Sequence, residues 1–324
     1  MRILVTGGAG YIGSAAAEAL LAAGHSVVVY DSLVSGYRPA VPAEAELIQA
    51  DLADEASLAA VFRSGRFDAV MHFAAFIEAG ESMTDPGRFY RNNLVHSLSL
   101  IEAARQAGVR RFVLSSTAAV YASSDASLSE DSALGPVNVY GHTKLVIEQT
   151  LDWYRKIYGL HFAALRYFNA CGALPGRGED HHPESHLIPL VLKVALGQSP
   201  SVAIFGTDYP TPDGTCVRDY IHVGDLVSAH LLALEALSEE ERLIYNLGNG
   251  NGYSVREVIA AARRVSGHPI PAVEAARRPG DPPRLVAASD RIRTELGWTP
   301  KHPDLEDIVS SAWEWHRSHP QGYG

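Results

Sequence analysis

Cysteine is scarce in this chain. Cys171 and Cys216 are the only two among 324 residues, and their wide separation matches no ligand spacing. That excludes a disulfide framework and a cysteine-based zinc site, and fits a reducing cytoplasm. Positive charge is also short. Lys and Arg number 27 against 37 Asp and Glu, for a net charge of −10. A nucleic-acid partner is therefore not expected, because a phosphate backbone demands clustered positive charge. No apolar run approaches the roughly 20 residues of a membrane span. The opening "RILVTG" reads as a buried strand and not as a signal peptide, so the expected location is cytoplasmic. Internal repeats and low-complexity segments are absent. What remains is 47% apolar and 20% charged, an ordinary globular composition long enough for two domains.

Short apolar segments alternate with helical ones through the first half. Strands are expected at 2–6, 26–31, 45–52, 67–75, 110–117 and 161–169, with helices at 12–23, 57–65, about 87–107 and 141–159. This rhythm predicts βαβ units around a buried parallel sheet. The fold class is α/β: a Rossmann-type doubly wound parallel sheet with a smaller C-terminal α/β substrate domain. After Asn169 the regularity breaks, and Pro, Gly and His become frequent to residue 215. The expected domains are 1–169, with a strand and helix at 216–237 returning to it, and a second domain from 170–215 and 238–324.

Three glycines, Gly7, Gly10 and Gly13, stand between the first strand and the first helix. There they allow a tight turn and let a pyrophosphate approach the backbone at a helix N-terminus. Asp31, 18 residues after Gly13, ends the second strand, where a carboxylate can accept from both adenosine ribose hydroxyls. It would repel a 2′-phosphate, so NAD is expected over NADP. Asp51 and Leu52 end the third strand within reach of an adenine.

Tyr140 and Lys144 lie four apart near the start of a helix, on one face. A phenol with its ordinary pKa of about 10 is a poor base. A nearby ammonium and a cationic nicotinamide would lower it, making Tyr140 a base for a substrate hydroxyl. Lys144 would also bond the nicotinamide ribose. Thr117, at the end of the fifth strand, offers a hydroxyl to the same oxygen. Arg218 and Arg278 are two guanidiniums in a net-acidic protein and can clamp a diphosphate.

The segments "VTGGAGYIGS", "HFAA", "YGHTK", "LRYFNACGA", "VAIFGTDYPTPDGTCVRDYIHVGDL", "YNLGNG" and "HPQGY" span the whole chain. In them the sequence resembles the extended short-chain dehydrogenase/reductases, and within these the UDP-glucose 4-epimerase family. The resemblance implies an NAD pocket of Gly7, Gly10, Tyr11, Ile12, Gly13, Asp31, Asp51, Leu52, Phe73, Ala74, Ala75, Asn92 or Asn93, Ser115, Tyr140, Lys144 and Tyr167. It implies catalysis by Thr117, Tyr140 and Lys144. For the UDP-hexose it implies Thr117, Asn169, His186 with Leu187, Phe205 at the uracil, Arg218, Tyr220, Arg278, Asp281 at the ribose, and Leu285 beside the hexose 2-position. The implied reaction oxidises carbon 4 to a ketone, turns the sugar about its tether, and reduces the opposite face with NAD retained. A homodimer through a four-helix bundle, built from helices 87–107 and 141–158, is implied as well.

Some positions depart from the family pattern. Ala122 replaces a usual glycine, and Glu78 stands where some relatives carry a basic residue. A sugar-nucleotide dehydratase would carry an Asp-Glu pair after Thr117, where this chain has Ala118 and Ala119. A nonenzymatic NAD-binding scaffold would not need the Thr117, Tyr140 and Lys144 set. The stretch "DHHPESH", with His181, His182, Glu184 and His186, is expected to be a substrate-covering loop holding no metal. Leu285, intermediate in size, is expected to favour UDP-glucose and UDP-galactose over the N-acetylated sugars.

Overall fold

The computed structural model describes residues 1–278 and 281–324. Its chain forms two compact units. The first comprises Met1–Ala122, Ala133–Arg166 and Val227–Tyr245, and the second Ser123–Ser132, Tyr167–Leu226 and Asn246–Gly324.

The first unit is built on a sheet of seven strands. Six are β1 (Arg2–Thr6), β2 (Ser26–Asp31), β3 (Glu46–Gln49), β4 (Ala69–His72), β5 (Arg111–Thr117) and β6 (His161–Tyr167). The seventh, Arg242–Leu247, lies beside β6, and the order continues β6, β5, β4, β1, β2, β3. Parallel pairing joins β1 to β2 and β4, β2 to β3, and β4 to β5. The strands are short and apolar because helices cover both faces, so each side chain is buried whichever way it points. Leu4, Val28, Val70, Phe112, Leu114 and Phe162 carry this core. The order reverses at β1, between β2 and β4, and ligands of such sheets bind at that crevice, beyond the carboxyl ends of the strands.

In the second unit the central strand is Val217–His222. It pairs antiparallel with Gly252–Ser254 and parallel with Arg284–Leu285 and Asn169–Cys171. Val202–Phe205 and Ala272–Ala275 form a separate parallel pair. Helices Leu187–Ala195, Val255–Ser266 and Leu305–Ser318 pack a core of Val191, Leu192, Val258, Ile259 and Ile308.

Three features differ from the sequence reading. Val217–His222, expected with the first unit, belongs to the second unit's sheet, and the first unit resumes only at Val227. Arg242–Leu247, expected in the second domain, closes the edge of the large sheet. The single helix expected over about 87–107 is present as one continuous helical run over residues 86–106, but its winding changes part-way. Pro86–Phe89 is α-helical, Tyr90–Val95 is a π-helical segment, and His96–Gln106 is α-helical again. Asn93 lies within the π-helical stretch. Fully buried, it accepts from the Phe76 amide at 2.9 Å and donates to the Phe76 carbonyl at 2.9 Å. Such wide turns recur at functional sites.

Candidate active site

In the first unit the candidate residues gather at the carboxyl ends of the strands. Gly7 follows β1 in the left-handed region at φ 74°, and its amide donates to the Tyr30 carbonyl at 3.0 Å. A Cβ at Gly7 would lie 2.4 Å from the Ala74 amide nitrogen, and one at Gly13 would lie 2.1 Å from the Gly7 carbonyl oxygen. Both glycines are thus required by the fold. Gly10 is different, since a Cβ there would meet only the Gly7 oxygen, at 3.4 Å. Its smallness leaves room for a ligand. Gly10 is also the N-cap of helix Tyr11–Ala22, with no side-chain cap and no acidic residue in the first turn. That leaves helix-terminal N–H groups suited to a phosphate. Tyr11 is buried, and Ile12 is half-buried beside it.

Asp31 ends β2 and is nearly buried. One carboxylate oxygen accepts from the Ala9 amide at 2.9 Å and the other from the Leu33 amide at 2.8 Å. Burial raises its pKa against the pull of those two amides. Asp51 is exposed, its carboxylate accepting from the Ala53 amide at 2.8 Å, with buried Leu52 next to it. Phe73, Ala74 and Ala75 follow β4, half-buried, and the Phe73 and Ala74 amides both donate to the Thr6 carbonyl. Asn92 donates to the Asn93 side-chain oxygen at 2.9 Å. With Asn93 committed to Phe76, Asn92 is the member of the pair turned to partial exposure. Tyr167, half-buried, closes β6.

The catalytic candidates are set by one close approach. A Cβ at Gly141 would stand 2.2 Å from the Ala119 carbonyl oxygen. The start of helix Val139–Tyr158 therefore lies directly on the segment after β5. Asn138 caps that helix by accepting from the Gly141 amide at 2.8 Å, and the Tyr140 amide donates to Ser82 Oγ at 3.1 Å. This contact brings the Tyr140 phenol near enough to Thr117 for that side chain to oppose the rise of its pKa. Lys144 is 2% exposed, and its ammonium donates to the Ser115 carbonyl at 2.8 Å. Burial lowers the Lys144 pKa to about 8, opposed by nearby Glu148.

The expected lowering of the Tyr140 pKa belongs to the state with a cationic nicotinamide beside the phenol; the chain's own groups shift it the other way. It is pushed up to about 12, first by burial, with Glu78 adding and the Thr117 hydrogen bond opposing. The Lys144 ammonium is turned to Ser115, so burial of the phenol prevails.

Sequence reasoning missed the charge network behind this triad. Arg166 and Glu148 are 2% and 4% exposed and joined by two hydrogen bonds, at 3.1 and 2.7 Å. Arg166 also donates to the Tyr121 hydroxyl at 2.8 Å, and Ser116 donates to Glu148. The signal was available: Glu148 is four residues after Lys144, on the same helix face.

In the second unit the structure brings most of the remaining candidates together. Arg218, in the central strand, donates to the Val217 and Pro282 carbonyls at 2.9 Å each and lies 3.6 Å from the Asp281 carboxylate. Arg278 donates to the other Asp281 oxygen at 2.9 Å and covers the Phe205 ring at 4.9 Å. Leu285 pairs with Arg218, and Asn169 with buried Tyr220. Arg277, by contrast, is held by Asp208 and stacks over Tyr209. His186 stands apart from these contacts. Its Nδ1 faces Glu179 at 2.8 Å and Glu184 at 3.0 Å, with half-buried Leu187 opening the next helix. Asp219 was also missed. Fully buried, it accepts from the Asn249, Gly250 and Ala287 amides and so fixes the "NLGNG" turn.

The model of the NAD dependent epimerase/dehydratase family matches residues 3–248. The chain belongs to this family. It is 50% identical over 325 residues to a UDP-glucose 4-epimerase of Streptomyces lividans, covering 99% of this chain and 98% of that one. A crystal structure of a UDP-glucose 4-epimerase superposes with a TM-score of 0.97 at 48% identity, covering 100% of both chains. The Bifidobacterium longum UDP-glucose 4-epimerase, solved in complex with NAD+ and UDP, gives a TM-score of 0.94 at 36% identity, covering 99% of this chain and 100% of that one. Among the described residues, no helix of this family member is long and apolar enough to cross a membrane.

Proposed function

We propose that the chain interconverts UDP-glucose and UDP-galactose by inverting carbon 4 of the hexose, with NAD as a retained cofactor. The carrying observation is the Gly141–Ala119 contact, which seats the helix bearing Tyr140 and the buried Lys144 on the end of β5 at Thr117 and Ser115. The first unit is the NAD-binding domain and the second the UDP-sugar domain. NAD would be held by the Gly7, Gly10 and Gly13 turn, Asp31, Asp51, Leu52, Phe73, Ala74, Ala75, Asn92, Ser115, Tyr167 and Lys144. The open space at Gly10 and the uncapped helix fit a pyrophosphate. When bound, NAD supplies the acceptor and donor of hydride at carbon 4.

Tyr140 takes the proton of the 4-hydroxyl as that carbon becomes a ketone, and returns it after the sugar has turned. Thr117 orients the reacting oxygen. Arg218 and Arg278 grip the diphosphate, which tethers the reactive ketone between the two steps. Asn169, Tyr220, His186 and Leu187 contribute to the sugar-nucleotide site, Phe205 faces the uracil, and Asp281 the uridine ribose. Leu285 borders the 2-position. Elimination chemistry is disfavoured because the places after Thr117 hold Ala118 and Ala119, which carry no acid. The setting is cytoplasmic galactose metabolism, in keeping with two free, buried thiols. Incubating the protein with UDP-galactose should yield UDP-glucose. A 4,6-dehydrated product, or no turnover with NAD added, would refute this reading.

The active form is a homodimer through a four-helix bundle. Support comes from Val95, Leu98, Trp153, Ile157 and Tyr158, exposed on the helices around residues 90–106 and 139–158. Trp153 and Ile157 are each more than 60% exposed, unusual for large apolar side chains at helical spacing. Light scattering at micromolar protein should report a dimer, and Trp153→Glu with Ile157→Glu a monomer.

A further inference from the structure

The segment entering helix Leu187–Ala195 draws four metal-ligand side chains to one point, three of them unassigned and the fourth, His186, at the border of the proposed sugar-nucleotide site. The ligand atoms of Glu179, His181, Glu184 and His186 all lie within 4.8 Å of one another. His181 Nδ1 is 3.2 Å from Glu179 Oε1, and His186 Nδ1 is 2.8 Å from that same oxygen. His186 Nδ1 is also 3.0 Å from Glu184 Oε1, and His181 Nδ1 is 3.9 Å from Glu184 Oε2. His182, by contrast, has a side chain 70% exposed and turned to Asp180.

We propose that Glu179, His181, Glu184 and His186 form a structural site for one divalent cation of the zinc class. Three observations carry this. The first is distance. Zinc bonds to imidazole nitrogen and carboxylate oxygen are about 2.0–2.2 Å, so the edges of a tetrahedral site are roughly 3.4 Å. The four histidine–carboxylate separations, 2.8 to 3.9 Å, lie on either side of that value, and all four ligand atoms fall within 4.8 Å of one another. The second is charge. The Glu179 and Glu184 side chains are 5% and 3% exposed, and two buried carboxylates require two compensating positive charges. One divalent cation supplies both while leaving the imidazoles neutral. The third is direction. The two imidazole rings, with centroids 5.2 Å apart, aim Nδ1 at one shared carboxylate oxygen. Two imidazolium ions so placed would repel each other, whereas a central cation satisfies all four groups. With four protein ligands the site has no open coordination position, which marks it as structural. It would pin the residues that lead into Leu187 and the helix beyond.

The test uses the full chain, treated with chelator, dialysed, and titrated with zinc chloride or cobalt chloride. Wild type should bind one equivalent of zinc with release of protons, since the ligands must be unprotonated. The cobalt form should show the visible absorption of a four-coordinate ion. His181→Ala and Glu179→Gln should each weaken binding by at least about tenfold, comparing proteins with matched circular dichroism. His182→Ala, outside the cluster, should bind as wild type does. Absence of stoichiometric zinc binding by wild type would overturn the proposal and leave an ion-paired cluster of protonated histidines. Undiminished binding by both His181→Ala and Glu179→Gln would equally overturn it by moving the metal elsewhere. Should neither variant fold, the wild-type stoichiometry and cobalt spectrum decide alone.

Discussion

In the first unit Arg166 and Glu148 meet at 2% and 4% exposure, backed by Tyr121 and Ser116. In the second, the Arg278 and Asp281 side chains meet at 55% and 24%. The first pair is locked by desolvation and supports Lys144 from behind. The second is wetter, and its arginine stacks on Phe205, where a bound anion could compete for it. A reacting centre needs fixed geometry, which burial provides. A nucleotide grip must exchange its internal partners for the ligand's phosphates, which partial exposure permits.

The comparison can be tested at four points. The largest effect is expected at Tyr140. Tyr140→Phe should lose roughly 10²- to 10⁴-fold in kcat with NAD binding retained, the range of a positioned acid–base group. Near-normal turnover would remove Tyr140 from the chemistry. Next, Glu148→Ala leaves Arg166 buried without its partner and should cost about 3–5 kcal/mol in unfolding free energy. The double variant Glu148→Leu with Arg166→Met should recover most of that loss, as read by urea denaturation. A third test lies in the second unit. Leu285→Ser should improve use of UDP-N-acetylglucosamine relative to UDP-glucose, since misfit in a packed pocket costs roughly 1–3 kcal/mol. An unchanged ratio of kcat/KM for the two substrates would assign the limit to another residue. The smallest effect is on stability at Arg278. Arg278→Ala should change unfolding free energy by less than about 1 kcal/mol, as for exposed ion pairs, while raising KM for the UDP-sugar. A stability loss matching that of Glu148→Ala would erase the distinction between the two units.

The same contrast explains what the sequence made legible. β1, β2 and β5 stand where the apolar periodicity puts them, because a parallel sheet buried on both faces leaves continuous apolar runs. Gly7 and Gly13 were readable because backbone crowding admits nothing larger. The π-helical turn around Asn93 was not, since no sequence period marks it and Asn93's partner, Phe76, lies 17 residues away. Nor was the membership of Val217–His222, because an apolar strand carries no mark of which sheet it joins. In the second unit Asp281 and Phe205 were found through resemblance alone. Their meeting depends on irregular connections with no period to read. Asp219 and Glu179 went unseen for a related reason, since a buried carboxylate is recognised by its partners, and those lie on other segments.

Asp31 holds two jobs in one carboxylate. Its two oxygens clasp the Ala9 and Leu33 amides, and Leu33 sits at φ 60°, a conformation that a leucine adopts only under constraint. The glycine turn and the loop after β2 are therefore tied together through the side chain proposed to accept from the ribose hydroxyls. Exchanging Asp31 for a residue that welcomes a 2′-phosphate would release both loops along with the old preference. Cofactor choice in this chain cannot drift one substitution at a time. A change of coenzyme would have to arrive with a new way of holding residues 9 and 33.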